Sequence, residues 1–420
     1  MRSFAWRQGR ARTLAAVTLT VAVATIAAAC GSSAPSAPAA KTVKAPGLPN
    51  FYAVPVPLPP GGPGTLIKSV RVPQPGLDGT LYRVMYISET ALGARTAVTG
   101  LVAVPSTPAP AGGYPVVTWG HGTNGMAPQC APSLQPASAV PYANGLLQKG
   151  WEVVASDYQG EGTPGMLPYL VGVVAARNTI DIVRAARELP AAHASANYVV
   201  WGHSEGGQTA MFALHIGASY APELHLDGVV AGAPPSQFSV IYDFLKTSKY
   251  RFYLFMAAAG FNAAYGNTTA PLNEVLSAQA RKLLPDLTKG CFTYLENTLD
   301  HYSLTQLVEA DPFSVPKWKP LLEENDPASF TSPVAAPLLI IQGGADEQIP
   351  VISTQLLASH LCSIGQDLER WIYPGQSHTG VISVSMQDMI HWMADRFAGG
   401  PNPDPYVPKG EAGIQTTSCP

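Results

Sequence analysis

Val199-Val200-Trp201-Gly202-His203-Ser204-Glu205-Gly206-Gly207 joins an apolar, β-prone run (Tyr198 to Trp201) to an alanine-rich helical run (Gln208 to Ile216) through Gly-x-Ser-x-Gly. A strand that turns at once into a helix forces unusual backbone angles on the serine. The residues two positions either side must then lack a side chain, and Gly202 and Gly206 do. Such a turn lifts the Ser204 hydroxyl clear of a sheet. It also aims the Glu205 N–H, at the start of the helix, at any negative charge that develops there. The same letters fit a small-residue helix cap in which Ser204 only hydrogen-bonds backbone. The strand before and the helix after favour a nucleophile.

Outward from this turn, apolar strands alternate with helical patterns. Pro115–Trp119, Trp151–Ser156, Leu226–Ala233, Pro337–Ile341 and Leu368–Tyr373 read as strands. Ser138–Lys149, Leu170–Leu189, Val351–Leu361 and Val381–Phe397 read as helices. Strands that are apolar throughout, with helices between them, predict a parallel sheet covered on both faces. Ile67–Val72, Leu81–Ser88 and Ala97–Val104 are closely spaced and predict an antiparallel opening to that sheet. The rhythm breaks over residues 234–333. Gln237–Leu245, Arg251–Ala264, Leu272–Leu284 and Leu304–Val308 are helical patterns there, rich in large apolar groups such as Phe252, Phe255 and Phe261. The expectation is an α/β fold: a core of 65–233 and 334–400, and a helical cap of 234–333 inserted above the site. Residues 49–64 read as irregular coil, and 401–420 as a loop-like tail held by Cys419.

A serine hydroxyl needs an imidazole to take its proton, and the imidazole needs a carboxylate to fix its tautomer. Each should follow a strand. Asp346 follows Leu338–Ile341 through Gln342-Gly343-Gly344-Ala345, and His378 follows Leu368–Tyr373 through Pro374-Gly375-Gln376-Ser377. Asp326 has no strand before it, and the neighbouring Glu347 is expected to point elsewhere. His301 falls in the cap, and His360 and His391 fall inside helices. The loop Trp119-Gly120-His121-Gly122-Thr123-Asn124-Gly125 supplies a second oxyanion donor. Thr123 N–H, aided by its hydroxyl, is paired with Glu205 N–H, and His121 is given a structural role.

The chain has 420 residues, a net charge of −3 and only 13% charged residues, so nothing favours a nucleic-acid partner. No Cys/His spacing of the zinc type appears, so no metal site is read. Arg2, Arg7, Arg10 and Arg12 precede the apolar run Thr13–Ala29, which reads as a signal peptide over residues 1–29. Ala27-Ala28-Ala29-Cys30-Gly31 resembles a bacterial lipobox, with Ala27 where Leu is usual. Cys30 is read as the lipidated first residue of a tether within 30–64. That predicts membrane contact through a lipid anchor at the cell envelope. Ordinary cleavage after Ala29, leaving a free thiol, and an uncleaved signal anchor are the alternatives. Removing Cys30 leaves four cysteines, an even number suited to an oxidising compartment.

Together these residues resemble the α/β-hydrolase superfamily across about 65–400, and more narrowly the secreted lipases of the lipase A type. Gly202–Gly207, Gly344-Ala345-Asp346-Glu347-Gln348-Ile349-Pro350 and His378 carry the superfamily likeness. Cys130-Ala131-Pro132-Ser133 and the insertion containing Cys291 carry the narrower one. The resemblance implies a Ser204–Asp346–His378 triad and a cofactor-free lipase or esterase acting on a small ester or lipid. It also implies disulfides Cys130–Cys291 and Cys362–Cys419, out of three possible pairings. The yeast members carry Asp in the oxyanion loop where this chain has Gly-His-Gly-Thr. A serine peptidase, an envelope acyltransferase and a non-catalytic binding lipoprotein are the competing readings. An aminopeptidase would need carboxylates such as Glu161, Glu205 or Glu274 to grip a free amine.

Overall fold

The structure is a computed structural model that describes residues 41–140, 142–399 and 407–419. The signal-peptide and Cys30 readings lie outside the described residues. Lys41–Val43 (β1) pairs antiparallel with Val54–Val56 (β2). The other ten strands are Leu66–Val72 (β3), Gly79–Glu89 (β4), Arg95–Pro105 (β5), Tyr114–Gly120 (β6), Glu152–Ser156 (β7), Ala194–His203 (β8), His225–Gly232 (β9), Leu338–Gly343 (β10), Leu368–Tyr373 (β11) and Gln415–Cys419 (β12). They form one sheet in the order β12-β11-β10-β9-β8-β6-β7-β5-β4-β3. β3, β4 and β5 are antiparallel, as their spacing predicts. From β7 to β11 the sheet is parallel.

Alternation along the central strands sorts side chains to two faces. Tyr198 and Val200 of β8, and Leu338 and Ile340 of β10, join one core with Ile180, Val183, Met211 and Leu357 from covering helices. Val199 and Trp201, and Leu339 and Ile341, join the opposite core with Leu146, Met389, Trp392 and Met393. Burying each such side chain contributes about 1.5–3 kcal/mol, and the two cores fix the register of the central strands. The parallel strands β6 to β11 therefore all end at one edge of the sheet, where loops can meet. This is the doubly covered α/β architecture expected from the sequence.

Between β9 and β10 the chain is helical: Phe238–Leu245, Phe252–Thr269, Ala278–Leu283, Phe292–Leu299, Leu304–Leu307 and Trp318–Glu324, with short 3-10 turns. The β content described there is an isolated bridge between Leu276 and Val308. The insertion packs an apolar cluster in which Phe252, Phe255, Phe261, Leu295 and Trp318 are buried together with Met126, Tyr169 and Ile349 of the α/β part.

Four local expectations are corrected. Ser138–Lys149 is not one helix but two, Pro136–Ala139 and Ala143–Leu147, with Tyr142 at φ 59° between them. Leu272–Leu284 is broken into 3-10 and α pieces, since Ser277 caps a fresh helix by accepting from Ala280 N–H. The tail is not all loop, because β12 adds an antiparallel edge strand to β11, from which Trp371 and Tyr373 are fully buried. Residues 49–64 are not all coil: they contain β2, and Tyr52 is buried with its hydroxyl bonded to Ser133. Among the described residues no helix is long and apolar enough to cross a membrane. No group of three or more His, Cys, Asp or Glu among them is placed to hold a metal.

Candidate active site

Ser204 sits between the end of β8 and the helix Glu205–Tyr220, at φ 59° and ψ −123°. An L-residue there carries about 1–3 kcal/mol of strain, which the surroundings must hold in place. They do. A Cβ on Gly202 would strike the Gly206 carbonyl, and one on Gly206 would strike the Gly120 carbonyl. The Ser204 N–H donates to Gly232 O at 2.9 Å. Its side chain does not cap the helix and makes no hydrogen bond among the described residues. The cap reading therefore has no support, and the hydroxyl is left available at the sheet edge.

Asp346 and His378 come together from the loops after β10 and β11. His378 Nδ1 lies 2.9 and 3.0 Å from the two Asp346 oxygens. Asp346 Oδ1 also accepts from the N–H groups of Gln348 and Ile349, each at 2.9 Å, which fixes its plane. With Nδ1–H donating to the carboxylate, Nε2 is the accepting nitrogen of His378. Both groups are buried. The His203 ring, next to the nucleophile, packs 4.7 Å from the His378 ring. Burial, reinforced by the adjacent His378, pushes the His203 pKa well below the usual imidazole range, so His203 stays neutral.

Glu347 does not point away. Its carboxylate accepts the backbone N–H of His378 at 3.0 Å, so adjacent acids hold the ring and the backbone of one histidine. Asp326 instead accepts from the N–H groups of Gln237, Phe238 and Ala328, which anchors the start of the helical insertion. His360 bonds Phe330 O from its helix, His391 bonds Gln387 O one turn back, and His301 lies exposed beside Asp300.

The loop after β6 runs past the nucleophile: a Cβ on Gly122 would lie 3.6 Å from Ser204 Cβ. The Thr123 hydroxyl is 2.9 Å from the Tyr169 hydroxyl. His121 is buried, stacks on Tyr158, and bonds Gly122 O through Nδ1. Burial lowers its pKa to about 4. This loop is tied to the helical insertion twice. Asn124 O accepts from Phe292 N–H at 2.7 Å, and Cys130 is disulfide-bonded to Cys291. A second disulfide, Cys362–Cys419, fastens β12 to the helix Val351–Ser363.

Sequence reasoning missed three further residues. Tyr253, in the insertion, donates to Gln348 Oε1 at 2.9 Å, and Gln348 lies two residues past Asp346. Gln208 donates to Leu170 O at 3.1 Å from the nucleophile helix. Tyr169 is the partner of Thr123. Leu170 and Tyr253 also line an apolar pocket of about 90 Å³ between the insertion and the loop before the helix Gly172–Glu188, with Phe238, Ile241, Phe261 and Trp318. No local motif marks these residues; the fold brings them to the site.

Residues 140–404 match the model of the Secretory lipase family. A protein of Mycobacterium tuberculosis described as a probable inactive lipase is 23% identical over 381 residues, covering 85% of this chain and 83% of its own. Lipase A of Arthroderma benhamiae is 22% identical, covering 80% of this chain and 76% of its own. Among solved structures, closed-state Candida antarctica lipase A superposes with a TM-score of 0.70 at 20% identity, covering 83% of this chain and 85% of that one. That likeness is to the α/β-hydrolase fold described above. With the family matched across more than half its length, the chain belongs to the secretory lipases and is a carboxylic ester hydrolase.

Proposed function

We propose that the chain is an exported serine esterase or lipase that works through Ser204, His378 and Asp346 by way of an acyl-enzyme. The observation that carries this is the His378 Nδ1–Asp346 pair, whose imidazole packs on His203 next to the strained serine turn, together with a Ser204 hydroxyl that makes no hydrogen bond among the described residues. Ser204 Oγ attacks the ester carbonyl as His378 Nε2 takes its proton. Asp346 holds the ring and stabilises the imidazolium. The N–H groups of Glu205 and Thr123 hold the oxyanion. His378 then protonates the leaving alcohol, and water repeats the sequence to free the acid. We assign residues 234–333 as the cap and its apolar cavity as the seat of the acyl chain.

Electrostatics weigh against the aminopeptidase reading. An ammonium group needs an ionised, accessible carboxylate. Burial pushes the Glu205 pKa up to about 8 and that of Glu161 well above the carboxylate range. Glu274 is already 3.7 Å from Lys317. The acyltransferase reading differs only in replacing water with an alcohol, and product analysis separates the two. Anchoring through Cys30 stays a proposal from Ala27–Gly31 alone; metabolic labelling with a fatty acid should mark the native chain and not Cys30→Ala.

The test is hydrolysis of p-nitrophenyl esters from two to sixteen carbons by wild type and Ser204→Ala. Loss of about 10³-fold or more in the variant supports the nucleophile. Equal turnover by both proteins would sink it. Activity that rises with chain length supports the cavity as acyl site, and activity confined to acetate contradicts it.

A further inference from the structure

Asp346 is held from two sides. From the sheet, the buried Gln342 of β10 donates through Nε2 to Asp346 Oδ2 at 3.4 Å and to Ile349 O at 2.7 Å. From the other side, Gln348 N–H donates to Asp346 Oδ1 at 2.9 Å, and Gln348 Oε1 accepts from Tyr253 O–H, also at 2.9 Å. Among the described residues the Gln348 side chain has no other hydrogen bond. Tyr253 stands in the first turn of the helix Phe252–Thr269, 95 positions away in the insertion. Its ring is fixed there. It stacks on Tyr250 with centroids 5.9 Å apart and on Phe292 at 6.2 Å. Phe292 N–H holds Asn124 O, and the adjacent Cys291 is bridged to Cys130.

A carboxylate orients an imidazole only while its own plane is fixed. One of the N–H groups that fix the Asp346 plane belongs to Gln348, and the side chain of Gln348 is tied to the insertion rather than to the sheet. Burial raises the Tyr253 pKa well above the phenol range, so its hydrogen stays on and Tyr253 is the donor. We propose that Tyr253 is a positioning residue of the triad: its hydroxyl, held by the insertion, fixes Gln348 and, through Gln348 N–H, the plane in which Asp346 holds His378. The insertion then sets the reactivity of the serine as well as lining the apolar pocket. The inference rests on the triad reading above.

The experiment measures kcat per reactive serine, counted by fluorophosphonate titration, together with KM. The substrate is p-nitrophenyl acetate, whose two-carbon acyl group is too short to need the pocket that the Tyr253 ring lines. Tyr253→Phe keeps the ring and its stacking and removes the donor. Gln348→Met keeps the length and the backbone N–H and removes the acceptor. Each should lower kcat about 3–10-fold with KM within about twofold. The double variant should be no slower than the slower single, because both changes break one bond. In an Asp346→Asn background Tyr253→Phe should cost nothing further. A merely structural role would lower the count of reactive serines and leave kcat per serine alone. Wild-type kcat in Tyr253→Phe, single losses that multiply in the double variant, or a full further loss in the Asp346→Asn background overturns the proposal. Should Gln348→Met not fold, Tyr253→Phe with and without Asp346→Asn decides. Wild type with no turnover overturns the ester reading and this proposal with it; an active wild type matched by Tyr253→Phe overturns only this one.

Discussion

Asp346 and Glu347 divide one task. The first orients the His378 ring, and the second holds its backbone N–H. Removing charge from the first leaves the imidazole in the wrong tautomer. Asp346→Asn is expected to lower kcat by about 10³–10⁴-fold with little change in KM. Glu347→Ala loosens the loop but leaves the tautomer intact, so a fall of about 3–10-fold is expected, restored by Glu347→Gln. Steady-state kinetics of both variants check this. At this scale the members of the proposed triad were legible, because each follows an apolar strand in the order serine, acid, histidine. Glu347 was not. Two adjacent residues cannot be assigned separate directions without the loop's turn, and Gln348 and Ile349 N–H groups folding back on Asp346 set that turn.

The loop after β6 and the helical insertion are joined by Cys130–Cys291, which closes 161 residues of chain, while Cys362–Cys419 closes 57 residues far from the serine turn. Chain entropy gives each bridge about 2–5 kcal/mol. Only the first fastens the loop that carries the proposed oxyanion donor Thr123. Cys291→Ser should lower both the melting temperature and kcat/KM, the latter by about tenfold or more, whereas Cys362→Ser should lower the melting temperature alone. Thermal melts beside ester kinetics separate the two. Long apolar elements were readable in order and type from their periodicity. The short ones were not. The break near Tyr142 depends on a local left-handed residue, and β12 on a sheet edge and a disulfide supplied from elsewhere.

At the scale of the whole fold, buried acids outnumber buried arginines and lysines among the described residues. Burial raises the pKa of Glu152 and Glu161 well above the carboxylate range, that of Glu205 to about 8, and those of Asp157 and Asp181 to about 6. Each keeps its proton when folded in a window where the unfolded chain has released it. The folded state then binds more protons, and stability falls as pH rises through that window. Buried His121 and His203 are depressed and oppose this only below about pH 6.5. The melting temperature should therefore fall by about 5 °C or more from pH 6.5 to 9. Glu152→Met should reduce that fall, since neither Glu152 oxygen has a partner to lose. A melting temperature that rises with pH would contradict the neutral-acid assignments. The sheet, both covering layers and the inserted helices were legible from the alternation of strands and helices. The contacts that join insertion to core, Tyr253 with Gln348, Tyr253 with Tyr169 and Phe292 with Asn124, were not, because they connect residues about 80 to 170 positions apart by packing that no local pattern encodes.

Ser204 is the residue proposed to carry the acyl group. Its most direct test is intact-mass and peptide mapping after treatment with an alkyl fluorophosphonate, which traps a serine activated by a neighbouring imidazole. One adduct per chain is expected, on Ser204, formed in step with the loss of ester hydrolysis. It should be absent from Ser204→Ala and slowed by about 10²-fold or more in His378→Ala. An adduct on another residue, or full hydrolysis by a chain without Ser204, would contradict it.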